Sequence, residues 1–298
     1  MLKNFGQMEQ FVREQSGKKR VALAAAHDAD ALGSLMMAVD RGIAEAILIG
    51  RRKEIVRVLD EMGKDAGDFR IIEEEDDRAA ADKAVELVHR GEADMPMKGL
   101  MHTSTFMKAI LDKEKGLKED GNLLSQASVF EIPEKDRFLI ISDCAVNIDP
   151  DLETKIKITE NAAALAHTLG IEQPKIAVLS AVEVVNPKIR STVDAAAMRE
   201  RLSDRYLIDG PLALDNAIDE AAAHHKGIES PVAGNADILI VPDLWSGNIF
   251  SKGLVFFAHL RSAGTLNGLK APVVMSSRTD TVENKYLSIL TAVLQTIR

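Results

Sequence analysis

Residues 20–49 read RVALAAAHDADALGSLMMAVDRGIAEAILI. Residues 20–26 are a short apolar run, the pattern of a strand buried on both faces. His27, Asp28 and Asp30 interrupt it, and residues 31–39 then carry apolar side chains at helical spacing. Residues 46–49 are a second apolar run. A strand, a helix and a further strand in this order make a βαβ unit, whose strands lie parallel.

The alternation extends both ways. Leu2, Phe5, Met8, Phe11 and Val12 share one helical face and predict an opening amphipathic helix. Downstream, the pattern predicts a helix over 53–62, a strand over 69–72, a helix over 77–90, a strand over 94–98 and a helix over 103–111. The rhythm breaks near Gly116. Residues 125–131 and 137–143 are β-rich, and the five residues Ile132 to Asp136 join them, which predicts an antiparallel hairpin. Then follow an expected helix over 152–169 stopped by Gly170, a strand over 175–179, and helices over 194–203 and 212–224. A strand over 237–241, a helix over 249–263, a strand over 271–275 and a helix over 282–297 complete the chain. The class is α/β, and the change of pattern at 116–147 marks the expected domain boundary.

Composition agrees. The 298 residues are 46% apolar and 28% charged, enough for a substantial core and unlike a disordered chain. Aromatics are only 4%, so the core is built from small aliphatic side chains, as in helices packed on a parallel sheet. The 37 basic and 46 acidic residues leave a net charge of −9, which argues against non-specific nucleic-acid binding. Cys144 is the one cysteine, so an internal disulfide framework and a multi-cysteine zinc site are excluded. The first residues have no secretory pattern, and no run of about 18 apolar residues exists to span a membrane. A soluble, cytoplasmic protein is expected.

Parallel sheets hold ligands at the carboxyl ends of their strands, so the chemistry is sought there. Ser276-Ser277-Arg278-Thr279-Asp280-Thr281-Val282-Glu283-Asn284-Lys285 lies between an expected strand and a helix. It offers hydroxyls, a guanidinium and helix N–H groups, with Asp280 and Glu283 spaced as a capping box. The same residues also suit a plain capped loop. Asp243 to Lys252 follows another strand, where Gly247 lets the backbone approach a ligand, Asn248 both donates and accepts, and Lys252 lies one turn on. Lys98 ends a strand in apolar surroundings, with His102 and Thr103 beyond it. Asp143 and Asn147 flank Cys144, which suits a buried small hydrophobe better than a nucleophile, since no activating base is evident. Asp209-Gly210-Pro211 reads as a fifth loop of the same kind. No G-x-G-x-x-G, no G-x-x-x-x-G-K-[ST] and no metal-ligand spacing is present.

At these loops the sequence resembles the phosphate acetyl/butyryltransferase family. The landmarks are Ala93-Asp94 with Met97-Lys98-Gly99, Ser142 to Asn147, Asp209-Gly210-Pro211-Leu212, Gly234 to Asp237 with Val241-Pro242-Asp243, Gly247-Asn248 with Lys252, and Ser277-Arg278. The Met-Lys-Gly and Ile-Asp-Gly-Pro-Leu-Ala segments look most like the butyryl branch.

The resemblance implies two α/β/α lobes of the isocitrate and isopropylmalate dehydrogenase type, with a cleft between them for the active site. It implies a first lobe of 1–143 plus 272–298, to which the last helix returns, and a second of 144–271. It implies reversible transfer of a short acyl group, butyryl favoured, between coenzyme A and inorganic phosphate. Arg278 would grip phosphoryl oxygens, and Ser277 would bond the acyl phosphate or the oxyanion. Lys98, His102, Thr103, Asn147, Asp209, Gly247, Asn248 and Lys252 would line the substrate site. The acetyl branch has a carboxylate seven positions after the serine, thought to take the thiol proton. Here that place is Asn284, which cannot act as a base; either Glu283 or Asp280 substitutes, or the incoming thiol reaches the site already as thiolate. The implied partners are acyl-CoA and phosphate, with no metal and no resident cofactor, in a homodimer or higher homo-oligomer. Other readings are an acetyl or broad short-chain enzyme, a non-catalytic acyl-CoA or phosphate-binding module, and a metal- and nicotinamide-dependent dehydrogenase of the same fold.

Overall fold

The computed structural model describes residues 1–15, 17–119 and 121–297. Two units emerge, Phe5–Asn122 with Ala263–Arg298, and Met1–Asn4 with Leu123–Ser262. The division thus precedes the hairpin, rather than following residue 143, and the chain returns at Ala263, rather than at 272. The hairpin is the reason, because its strands hydrogen-bond into the sheet of the second unit.

In residues 5–122 the elements run α1 (Phe5–Gln15), β1 (Lys19–Ala24), α2 (Ala29–Asp40), β2 (Ala44–Gly50), α3 (Arg52–Glu61), β3 (Arg70–Glu73), α4 (Asp77–His89), β4 (Met95–Lys98) and α5 (Thr103–Ile110). The strands form a sheet in the order β3-β2-β1-β4, and each pair is parallel. β1 is central, with Ala24 in register with both Ile49 and Lys98. The carboxyl ends of three strands therefore lie side by side. Just beyond them Gly99 crosses the end of β1, donating its N–H to Ala24 O at 2.8 Å. A Cβ there would collide with the carbonyl oxygens of Ala24 and Ala25, so only glycine fits.

The second unit contains β5 (Ser125–Ile132), β6 (Arg137–Ser142), α6 (Leu152–Thr168), β7 (Lys175–Leu179), α7 (Arg190–Leu202), β8 (Leu207–Leu212), α8 (Leu214–Ile218), α9 (Glu220–His225), β9 (Ile238–Ile240) and α10 (Leu244–Phe256). Within it the strand order is β5-β6-β9-β7-β8. β5 and β6 are the expected antiparallel hairpin, and the remaining neighbours are parallel. Three expectations need correction. Residues 207–212 are a strand rather than a loop, despite the turn-like Asp-Gly-Pro. The helix expected over 212–224 is broken at Asp219, whose extended backbone and side chain cap α9. The helix expected from residue 249 already starts at Leu244, because Asp243 caps it by accepting from Ser246 N at 2.8 Å.

The chain then forms β10 (Ser262–Asn267) and α11 (Val282–Gln295). β10 occupies residues partly expected to be helical. The strand expected over 271–275 is reduced to single bridges, Val274 with Met97 and Val273 with Leu266. Adjacent residues pair with different partners, so no continuous ladder forms. Val274 nevertheless brackets β4, accepting from Lys98 N and donating to Pro96 O, each at 3.0 Å. α11 is buried from Asn284 to Leu294 and packs on α1 and α2. Among the described residues no helix is long and apolar enough to cross a membrane.

Candidate active site

The strand ends of the first unit converge on a group of cations. Lys98 is the last residue of β4 and is 4% exposed. Its Nζ donates to Gly99 O at 3.3 Å and to Met101 O at 3.5 Å, long for such bonds, and it forms no ion pair among the described residues. Arg278 Nη2 donates to the same Met101 oxygen at 3.4 Å. Lys285, in the first turns of α11 and 2% exposed, donates from Nζ to Arg278 O at 3.5 Å and to Asp280 O, and lies 4.0 Å from Asp30 Oδ2. Three cations thus gather on the 98–101 and 278–285 segments, against two carboxylates, Asp28 and Asp30, at the start of α2.

This arrangement perturbs Lys98. Burial pushes its ammonium below the ordinary lysine range, and the charges of Arg278 and then Lys285 push the same way, with Asp28 opposing. A bound anion would relieve that repulsion.

The 277–284 loop is organised around Asp280, which accepts from Ser277 N at 2.7 Å. It is not the helix cap; Thr281 is, accepting from Asn284 N. Ser277 and Arg278 are exposed, with Ser277 Oγ 3.1 Å from Thr279 Oγ1. Glu283 is exposed, whereas Asn284 is 7% exposed. His102 and Thr103 are exposed at the start of α5, where His102 is the N-cap without a side-chain capping bond.

The remaining expected site residues belong to the second unit. Asp143 is a buried hub that accepts from the backbone N–H groups of Gln126, Ala145, Val146 and Asn147. Asn147 Nδ2 donates to it at 2.6 Å and to Leu124 O at 3.0 Å, so Asn147 braces the loop. Gly247 lies inside α10, where a Cβ would come within 2.5 Å of Asp143 O. It permits close helix packing rather than ligand approach. Asn248 Nδ2 donates to Cys144 O at 3.2 Å, and Lys252 is exposed one turn further. Asp209 sits within β8, not in a loop, and pairs with Arg199 at 3.4 Å. A cavity of about 750 Å³ opens at the ends of β7 and β9, lined by Leu179, Val241, Ile249 and Phe250 with Ser180 and Ser246. Cys144 is buried, and desolvation, then the charge of Asp143, pushes its thiol up to about 12.

Sequence reasoning missed Lys285 and the Met101 carbonyl. Lys285 carried a signal, a cation in the buried run of α11 that includes Tyr286, Leu287 and Ile289. Among the described residues no three His, Cys, Asp or Glu side chains converge as metal ligands.

Residues 78–293 match the phosphate acetyl/butaryl transferase family. The chain is 46% identical to a phosphate butyryltransferase of Clostridium acetobutylicum, over 99% of this chain and 98% of that one. It is 42% identical to a phosphate acetyltransferase of Thermotoga maritima, over 95% and 97%. A branched-chain phosphotransacylase from Enterococcus faecalis superposes with a TM-score of 0.83 at 35% identity, covering 93% of this chain and 98% of that one. A 4-hydroxythreonine-4-phosphate dehydrogenase from Klebsiella pneumoniae, 13% identical with a TM-score of 0.56, shares the fold alone, the dehydrogenase-like relationship that the resemblance implied.

Proposed function

The chain belongs to the phosphate acetyl/butaryl transferase family, and from that membership we propose that it transfers a short acyl group reversibly between coenzyme A and inorganic phosphate. Its similarity over nearly full length is to phosphate acyltransferases, so it is an enzyme rather than a binding module. The observation that carries the substrate reading is the convergence of Lys98, Arg278 and Lys285 at the strand ends. An acidic protein that handles a phosphate dianion needs such a local cluster.

In the acyl-CoA direction, one oxygen of HPO₄²⁻ attacks the thioester carbonyl. The C–O bond forms, the C–S bond breaks, and the phosphate proton is balanced by protonation of the departing thiolate. Arg278 holds the phosphoryl oxygens, and Lys285 adds charge while fixing the Arg278 backbone. Ser277 bonds the developing oxyanion. Glu283 and Asn284, in the first turn of α11, and His102 and Thr103, at the start of α5, are assigned to substrate positioning. Asn248 and Lys252 of the second unit are proposed as substrate contacts in their own right, whereas Asn147 is withdrawn, since Asp143 and the Leu124 carbonyl occupy its amide. Asp209 is withdrawn from the site, since Arg199 and the Gly210 N–H occupy its carboxylate. Coenzyme A is a substrate, and no resident cofactor is invoked.

Butyryl is the favoured acyl group, supported by the 46% and 42% identities to clostridial phosphate butyryltransferases. We also propose a cytoplasmic homo-oligomer, which light scattering on the purified protein tests. The deciding experiment measures phosphate-dependent thiol release from acyl-CoAs of two to eight carbons, with a chelator present. Release that peaks near four carbons supports the butyryl reading, and a peak at two carbons replaces it with the acetyl one. Folded protein that releases no thiol from any chain overturns the proposal.

A further inference from the structure

The reaction has a proton to move, and Asn284 cannot move it. Several other groups near the cations are poorly suited. The Arg278 guanidinium has donors only and offers no acceptor for a proton. Lys285 has its charge compensated by Asp30 and two carbonyl oxygens. Asp280 is engaged with the Ser277 N–H, and Glu283 is exposed to water.

Lys98 stands apart. Its Nζ lies among the strand ends with two long carbonyl contacts and no ion pair among the described residues. The charged groups that act on it are Arg278 from the loop before α11, Lys285 from α11 itself, and Asp28 from the cap of α2. Two of the three repel a proton on Lys98. Yet the amine shares the Met101 oxygen with Arg278, so it lies beside any anion that Arg278 grips.

Resting on the acyltransferase reading above, we propose that Lys98 is the proton-transfer residue of this site. As a neutral amine it takes the proton of the attacking HPO₄²⁻ while the new C–O bond forms. The resulting ammonium stabilises the acyl phosphate and then protonates the departing thiolate, which gives CoASH and restores the amine. In the reverse direction the amine takes the thiol proton and delivers it to the departing phosphate. Burial and the neighbouring Arg278 charge both favour the neutral form, the direction this cycle needs.

Lys98→Arg tests the idea, because it keeps the charge and cannot release the proton. The expected result is a phosphate KM within about threefold of wild type and a kcat lower by roughly 10² to 10⁴, the usual contribution of general acid–base catalysis. Wild-type kcat rises with pH through the Lys98 titration, and that limb disappears in Lys98→Arg. A limb that survives belongs to phosphate itself. In Lys98→Ala, small primary amines restore the rate. Wild-type kcat and an unchanged pH profile in Lys98→Arg overturn the inference while leaving the function intact. If the arginine variant does not fold, absence of amine rescue in Lys98→Ala overturns it. Wild-type protein that releases no thiol fails the underlying reading instead.

Discussion

Lys98 and Arg278 donate to one carbonyl oxygen, that of Met101, at 3.5 and 3.4 Å. The residues are 180 positions apart in the chain, and the bracketing of β4 by Val274 brings them together. Two cations on one acceptor are under-compensated, so an anion placed between them gains from both.

Arg278→Ala should therefore lower kcat/KM for phosphate by about 10² to 10³, the scale of losing a charge-stabilising donor in a transition state. Arg278→Lys should recover little of this, because an ammonium cannot reproduce the planar two-point grip on phosphate. Steady-state kinetics with varied phosphate, beside circular dichroism to verify folding, provides the check. Lysine restoring full activity would reduce Arg278 to a simple point charge.

Much of this arrangement is legible in the sequence, and the failures have physical causes. The βαβ periodicity of residues 20–49 predicts β1, α2 and β2 within a few positions, because buried parallel strands and amphipathic helices leave strong patterns. β8 escapes detection because Asp209-Gly210-Pro211 has turn chemistry, which tertiary pairing with β7 overrides. β10 escapes because Ser-Ala-Gly-Thr is weakly apolar. Lys98 and Arg278 stand out as cations after apolar runs. The structural duties of Asn147 and Gly247 do not, because both depend on Asp143, a contact that no local spacing encodes.

Gly247→Ala should destabilise the protein by about 1–3 kcal/mol, the range for overpacking a close contact. The added methyl would meet Asp143 O at 2.5 Å and Val241 Cγ2 at 2.8 Å, and the oxygen is backbone that cannot swing aside. The urea midpoint should fall. An unchanged midpoint would mean that α10 shifts freely away from the Asp143 loop.

Lys98→Met should stabilise the fold while abolishing turnover. Burial, with Arg278 next, holds the Lys98 ammonium below its ordinary range. Between its folded and unfolded values the unfolded chain binds more protons, so wild-type stability rises with pH across that window. Below it the folded protein bears the full charge penalty, which methionine removes. The variant should melt higher than wild type near pH 7, by about 2 °C or more, the effect of roughly 1 kcal/mol in a domain of this size. The gap should narrow as pH approaches the ordinary lysine value. Phosphate should raise the wild-type Tm more than the variant's, since it binds the cation cluster of the native state. A variant that melts lower near neutral pH would show that the Gly99 and Met101 contacts outweigh the charge penalty.

Cys144 should be chemically silent in the native protein. Its thiol packs with Phe130, Leu139 and Ile141, donates to Ile141 O at 3.5 Å, and is pushed up to about 12 by burial and the Asp143 charge. Near neutral pH only about one molecule in 10⁵ carries the thiolate, the species that attacks disulfides and acyl carbonyls. An aromatic disulfide reagent should find no reactive thiol in the folded enzyme and one after denaturation. Cys144→Ala should keep kcat within about twofold and lower the melting temperature slightly, as for any shaved core side chain. Rapid labelling of native protein, with loss of turnover, would place a reactive thiol in the reaction and reopen a covalent acyl-enzyme route.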